Sequence, residues 1–234
     1  MTAKRLWGLI AAAGSGQRLR AETPKQYHQL AGRPVLAWSL DALCQVPDIA
    51  GVMIVRAADD ALFDRASLRR DDRVRDCAGG AERQDSIRAG LAALRDWGAA
   101  EADSVLVHDA ARPAVSAADI ARLIEAVADD PDGGLLAAPV RDTLKRADAA
   151  GRVAETPSRE GLWQAMTPQL FPLGRLHSAL ARDTRVTDES QAMEGLGARP
   201  RLVAGDPGNI KYTYPEDIDW LSSAIERNRR GDRR

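Results

Sequence analysis

Residues 6–13 are an unbroken apolar run that ends on Gly14, Ser15 and Gly16, and this junction constrains the fold more than any other stretch of the chain. A short apolar run without alternation fits a parallel strand covered on both faces. Glycines directly after it let the backbone turn tightly and bring its N–H groups close to phosphate oxygens. Arg18 and Lys25 follow in the same loop, and Pro24 stiffens the chain just before the lysine. Two cations beside an amide-lined turn suit the charge that builds on phosphate during transfer.

The residues around this turn separate its rival readings. A P-loop closes on Gly-Lys-Ser/Thr, whereas Gly16 is followed by Gln17 and Arg18, which argues against an ATPase or GTPase. A dinucleotide-binding turn needs a third glycine where Leu19 stands, and an acidic residue closing a second strand about 20 residues on, which is missing. An ordinary βα turn with solvated cations is the plainest alternative, and Pro24-Lys25-Gln26 weighs against it.

Further strand-like runs at residues 51–55, 104–107 and 134–140 alternate with helical patterns, which predicts βαβ units and a mainly parallel α/β sheet. Leu36, Leu40 and Leu43 form a stripe after Pro34, and Ile87, Leu91 and Leu94 repeat it after Ser86; both read as core faces. Ser116 and Asp119 predict a capping box ahead of Ile120, Leu123, Ile124 and Val127. Pro215, Glu216 and Asp217 open a last helix. Residues 228–234 read as a solvated, frayed end.

Residues 141–159 break the pattern, with short strand-like pieces around Ala149-Ala150-Gly151 that predict a hairpin projecting from the sheet. A two-stranded excursion is marginal by itself. Its scarcity of apolar residues predicts that it packs on the same arm of a second subunit, giving a homodimer.

At 234 residues, with 44% hydrophobic and 29% charged residues, the chain is long and apolar enough for a substantial core, which excludes wholesale disorder. A net charge of −1 gives no general attraction to nucleic acid, so anion binding must rest on local cations. No apolar run approaches the roughly 20 residues that span a bilayer, and no signal-peptide pattern opens the chain, so the expectation is a cytoplasmic protein without a membrane partner. Cys44 and Cys77 suggest reduced, buried thiols, while His28, His108 and His177 lack metal-ligand spacing and read as surface or packing residues.

Other segments add chemistry at the expected carboxyl edge of the sheet. Asp109 and Arg112 follow an apolar strand, where ligands bind in open α/β sheets. Asp109 suits a substrate hydroxyl or the neighbourhood of a divalent metal, Arg112 an anion; a capping aspartate in a structural salt bridge is the plain alternative. Gly79-Gly80-Ala-Glu-Arg-Gln-Asp-Ser86 is a second glycine turn suited to a base edge or ribose, and equally to an N-cap at Asp85 or Ser86. Lys211 follows the turn-forming residues 205–208, which would aim it rather than leave it on a helix face. With no Ser/His/Asp order, Cys/His pair or close glutamate pair, the inventory favours phosphoryl or nucleotidyl transfer, in which the substrate brings the nucleophilic oxygen.

Taken in order, AAGSGQR with PKQY, GGAERQDS, VHDAARP, PVRDTLKR, GLWQAMTPQLF, VTDE and GNIKYT before PED resemble the 2-C-methyl-D-erythritol 4-phosphate cytidylyltransferase family over nearly the whole chain. The first motif is shared by many sugar-nucleotide transferases, whereas VHDAARP with the arm, TPQLF and VTDE are far more specific. Ala11 stands where the family usually has proline, a change that keeps an extended backbone. The resemblance implies one Rossmann-like nucleotidyltransferase domain over residues 1–234, with a protruding β-arm at 141–159 that interlocks two subunits. It also implies that CTP and methylerythritol phosphate react with Mg²⁺, the ion held mainly by the CTP phosphates, to give the CDP-linked polyol and pyrophosphate.

By the same resemblance, Ala12, Ala13, Gly14, Gly80 and Ser86 are the cytidine-binding positions, and Arg18 and Lys25 stabilise the transition state. Asp109, Arg112, Thr143, Arg159, Thr167, Thr187 and Lys211 are the acceptor pocket, with Thr143 and Arg159 reaching the partner's site. Arg159 and Lys211 hold the attacking phosphate in line. A monofunctional enzyme is expected, since the chain ends after the last helix without a fused cyclase domain. A cytidylyltransferase for another polyol phosphate, such as ribitol 5-phosphate, is the nearest alternative, and a nucleotide-binding regulatory module a more distant one.

Overall fold

A computed structural model describes residues 4–14, 23–63, 68, 71–182 and 186–231. Its strands are β1 (Leu6–Ala11), β2 (Gln29–Leu30), β3 (Arg33–Pro34), β4 (Ile49–Arg56), β5 (Val74–Ala78), β6 (Ser104–Asp109), β7 (Gly134–Pro139), β8 (Arg146–Ala147), β9 (Val153–Glu155), β10 (Trp163–Pro172) and β11 (Arg201–Ala204). The helices are α1 (Val35–Cys44), α2 (Arg83–Asp96), α3 (Ala117–Val127), α4 (Leu173–Arg182), α5 (Glu189–Glu194) and α6 (Asp217–Gly231). Seven strands form one sheet in the order β11-β7-β10-β6-β1-β4-β5. All neighbours in it are parallel except β10, which runs antiparallel to both β6 and β7.

The expected buried strand is β1, paired on both sides and buried along most of its length. Side-chain alternation sorts the core into two layers. Ile10, Ile54 and Leu106 face α1 and α3, packing with Leu36, Leu40, Leu43, Ile120 and Leu123. Leu9, Val55, Val105 and Val107 face the other way, onto Ile87, Leu91 and Leu94 of α2 and Leu176 and Leu180 of α4. The two leucine stripes expected from the sequence are therefore the faces that clamp the sheet.

Several local expectations change. The cap of α2 is Glu82, not Asp85 or Ser86: Glu82 accepts from the Asp85 backbone while the Asp85 side chain returns a bond to Glu82. Reciprocal capping three residues earlier satisfies two N–H groups at once. Ser116 caps α3 as expected, but the Asp119 carboxylate turns instead to Arg122, at 2.5 Å, and to the Asp206 backbone N–H. Helix α6 continues through Gly231, with Asn228 donating to the Ala114 carbonyl at 2.8 Å, so residues 228–231 of the expected solvated end are helical; residues 232–234 lie outside the described residues. Cys44 and Cys77 are both free thiols, the second only half-buried at the sheet edge.

The excursion after β7 contains an antiparallel pair, β8 with β9, outside the main sheet and wholly exposed. Gly151 turns it at φ +75°, a region that L-residues avoid. The Lys145 ammonium donates to Thr156 Oγ1 at 2.7 Å, holding its two sides together. The chain then re-enters the sheet as β10, whose first residues, from Trp163, are exposed and whose last are buried between β6 and β7.

Candidate active site

From β1 the chain goes to β4 on one side of the sheet order, whereas β6 lies on the other, so the sheet has a topological switch between β1 and β6. Ligands of open α/β sheets bind outside the carboxyl ends of the strands at such a point. A cavity of about 350 Å³ lies there, lined by residues 11–14 at the end of β1, Lys25 and Gln26, residues 80–83 with Ser86 at the start of α2, residues 109–111 at the end of β6, and Lys211. Of the residues expected from the sequence, it gathers Ala12, Ala13, Gly14, Lys25, Gly80, Ser86, Asp109 and Lys211. Arg18 lies outside the described residues.

The second glycine turn is shaped by close approach, whereas Gly14 has open space around it among the described residues. A Cβ on Gly79 would stand 2.6 Å from Ser86 Oγ, and one on Gly80 would stand 2.4 Å from Asp85 Cβ. Ser86 Oγ accepts from the Gly80 N–H at 3.2 Å, pinning this turn over the first turn of α2. On the opposite wall, Gln26 Nε2 donates to the Ala12 carbonyl at 2.8 Å and fixes the exit of β1.

The charged wall is a chain of alternating signs. Lys211 Nζ donates to Asp109 Oδ2 at 2.7 Å, and Arg83 gives Nε and Nη2 to Asp109 Oδ1 at 3.2 and 3.0 Å. Behind Arg83, the buried Glu189 accepts Nη1 and Nη2 at 2.5 and 3.0 Å. Burial pushes the Asp109 carboxyl up, but Arg83 and Lys211 outweigh it and hold the group ionised far below the usual carboxylate range. Asp109 is salt-bridged, as the plainer reading of the sequence had it, and it also lines the cavity.

Beneath Asp109, Thr167 Oγ1 accepts the Asp109 backbone N–H at 3.0 Å and lies 3.0 Å from His108 Nδ1. The other ring nitrogen of His108 is 3.1 Å from the Arg112 carbonyl, which only accepts, so Nε2 carries the proton and Thr167 donates to Nδ1. Burial pulls the His108 pKa down to about 4, keeping the ring neutral. Arg112 stands just outside the cavity, its guanidinium donating to the carbonyls of Asn209 and Ala165. Burial pulls its pKa down while Asp109 opposes that shift.

Thr143, Arg159 and Thr187 are not brought to this cavity. Thr143 and Arg159 are exposed in the excursion, with Arg159 Nη1 on the Arg141 carbonyl. Thr187 is exposed before α5, its N–H and hydroxyl both donating to Gln191 Oε1 at 2.6 and 3.0 Å. Arg83 and Glu189 are the site residues that sequence reasoning passed over. Both stand inside motifs already singled out, but a pairing 106 positions apart leaves no local signal.

Among the described residues, the cavity is not lined by a ready-made metal cage. The carboxylates lining it are Asp109, occupied by Arg83 and Lys211, and Glu82, engaged in the helix cap. Among the described residues no cluster of three or more His, Cys, Asp or Glu is arranged for a metal.

The family model for 2-C-methyl-D-erythritol 4-phosphate cytidylyltransferase matches residues 6–227. The chain belongs to this family. The cytidylyltransferase of Ectopseudomonas mendocina (strain ymp) is 50% identical over 230 residues, covering 96% of this chain and 98% of its own. That of Pseudomonas putida (strain GB-1) is 50% identical over 224 residues, or 94% and 95% of the two chains. A crystal structure of 4-diphosphocytidyl-2C-methyl-D-erythritol synthase superposes with a TM-score of 0.85 at 38% identity, covering 96% of this chain and 100% of the other. The 2-C-methyl-D-erythritol 4-phosphate cytidylyltransferase of Francisella tularensis gives 0.80 at 30% identity, covering 94% and 100%. In this cytidylyltransferase family member, the family match takes in every described wall of the cavity, from β1 to Lys211.

Proposed function

We propose that the chain transfers a cytidylyl group from CTP to 2-C-methyl-D-erythritol 4-phosphate, releasing pyrophosphate and forming 4-diphosphocytidyl-2-C-methyl-D-erythritol. The observation that carries this reading is the convergence of Lys25, Lys211, Gly14 and the Gly80 turn on one cavity at the sheet's switch point, in a chain of this family. Ala12, Ala13, Gly14, Gly80 and Ser86 take the cytidine end. Asp109, Lys211, Arg112, Thr167 and Thr187 serve the acceptor, joined by Thr143 and Arg159 from a second subunit's hairpin.

An acceptor phosphate oxygen attacks the α-phosphorus of CTP, and the bond from that phosphorus to the bridging oxygen breaks, pyrophosphate leaving with the electron pair. Two anions must meet for this. Unit charges about 4 Å apart repel by roughly 4 kcal/mol at an effective dielectric of 20, so cations are required at both ends. Lys211 and Arg159 hold the incoming phosphate, and Lys25 with Arg18 stabilises charge on the pentavalent phosphorus and the leaving group. Mg²⁺ belongs to this reading as an ion carried by the triphosphate, supplying charge neutralisation there; the residues on the cavity wall do the positioning.

The same reading includes a homodimer and a cytoplasmic location. Val153 at 64%, Leu162 at 42% and Trp163 at 37% exposure give the hairpin and its root an apolar face suited to a second copy. No helix of the described residues is long and apolar enough to cross a membrane. The test is pyrophosphate release from CTP with Mg²⁺, run in parallel with methylerythritol 4-phosphate and ribitol 5-phosphate. Release with the first alone supports the assignment; preference for the second moves the protein to another polyol, and silence with both overturns catalysis.

A further inference from the structure

Glu189 is 1% exposed, does not line the cavity, and has both oxygens taken by Arg83. Arg83 is itself oddly placed. As the first residue of α2 it holds a cation at the helix end whose dipole favours anions. A buried carboxylate and a cation at the unfavourable helix end are costly choices, and purely structural needs are met more cheaply by apolar side chains. Their geometry has a directional result. The bidentate grip of Glu189 turns the guanidinium so that Nε and Nη2 meet Asp109 Oδ1, leaving Oδ2 to Lys211. The links run across three elements: α5 to α2, α2 to the end of β6, and β6 to the segment before α6.

We infer that Glu189 and Arg83 are positioning residues for Lys211, acting through Asp109 to aim its ammonium at the phosphate of the acceptor. The aim at an acceptor phosphate rests on the function proposed above; the relay from Glu189 to Lys211 does not. Glu189→Gln keeps the volume but turns an N–H₂ group toward the guanidinium, a clash of donors. Arg83 then shifts onto both oxygens of Asp109, and Lys211 loses its partner.

The experiment uses the full-length protein and two readouts. The first is the side-chain ammonium resonance of Lys211 in ¹⁵N-labelled protein, protected from exchange when Nζ is hydrogen-bonded, and it needs no substrate. The second is the pair of KM values for CTP and methylerythritol 4-phosphate. Expected in Glu189→Gln are loss of the protected resonance and a rise of about tenfold in the acceptor KM, with the CTP KM within about twofold, as coupling through shared partners allows. In a Lys211→Ala background the same substitution leaves the acceptor KM unchanged, because the residue it acts through is gone.

An unaltered Lys211 resonance in Glu189→Gln overturns the relay. A lost resonance with an unchanged acceptor KM, or an equal KM penalty in the Lys211→Ala background, overturns its role in aiming. A lost resonance in a protein whose wild type shows no turnover with this acceptor supports the relay and refutes the proposed function. If Glu189→Gln does not fold, Glu189→Asp retracts the carboxylate while keeping its charge and gives the same readouts in the same directions.

Discussion

The Lys25 ammonium donates to the carbonyl oxygen of Tyr212 at 3.2 Å, so a cation from the first loop is anchored on the residue that follows Lys211. Tyr212 is well suited to be that anchor. Its backbone N–H donates to the Ala111 carbonyl at 2.8 Å, its hydroxyl meets His28 Nδ1 at 2.9 Å, and its ring is buried against α6. The spacing of the two lysines is thereby held by a packed aromatic residue.

Replacing Lys25 with alanine removes a cation without disturbing that anchor. The expected result is a fall in kcat of about a hundredfold or more, on the order of 3 kcal/mol in the barrier. Steady-state pyrophosphate release measures it, and near-normal turnover would refute the assigned role.

Gly80→Ala places a methyl group 2.4 Å from Asp85 Cβ, so the turn has to move away from α2. If this turn takes the cytidine end as proposed, the CTP dissociation constant should rise about tenfold, equivalent to about 1.4 kcal/mol of binding. Calorimetric titration with CTP checks it; unchanged affinity would show that the nucleotide does not touch this turn.

His108 predicts an acid-sensitive stability. Unfolded, the ring takes a proton below about 6.5, whereas in the fold it stays neutral down to about 4. Between those values the unfolded chain holds the extra proton, so stability falls as the pH falls, by about 3 kcal/mol in total. Urea unfolding at pH 7 and pH 4.5 should show a drop in wild type that is smaller by about 2–3 kcal/mol in His108→Gln, whose side chain does not titrate. Equal drops in both proteins would mean that His108 is not the group responsible.

The proposed homodimer, with Arg159 serving the partner's site, predicts complementation. Lys25→Ala and Arg159→Ala should each be nearly inactive, while a mixture refolded together should recover roughly a quarter of wild-type activity, from mixed dimers with one intact site each. Recovery of nothing would place Arg159 in its own subunit's site, and an active Arg159→Ala protein would place it outside catalysis.

The sequence carried the parallel architecture because its signals are local. The apolar run of β1 and the stripes of α1 and α2 each follow from burial on one or two faces. It said nothing of β10 as an antiparallel strand in the middle of the sheet, since an apolar strand has no mark of direction. The cavity was legible where backbone chemistry made it, at Gly14 and Gly80, and where turn residues aim a side chain, at Lys211. There the Asp206 carboxylate accepts the Gly208 N–H at 2.6 Å, an Asx turn. The tie of His108 to Thr167 and that of Arg83 to Glu189 span 59 and 106 positions, and such pairings exist only once the sheet has formed.

The cavity has two walls of unequal stiffness, one made by strand ends and one by loops. Asp109 ends β6, which is laddered to β1 up to the Ala11–Asp109 pair, and its backbone N–H is tied to Thr167 Oγ1, which His108 Nδ1 holds in turn, so Asp109 cannot shift unless the ladder and these bonds yield with it. The opposite wall is formed by Gly14 and the Gly80 turn, and the position of that turn depends on a few hydrogen bonds, such as Gly80 N–H to Ser86 Oγ. Discrimination that depends on tenths of an ångström belongs on the rigid wall, because strands hold a group more tightly than loops do. Selection against near-isosteric polyols should therefore resist mutation of the loops, while tolerance for altered bases should be acquired by changing them.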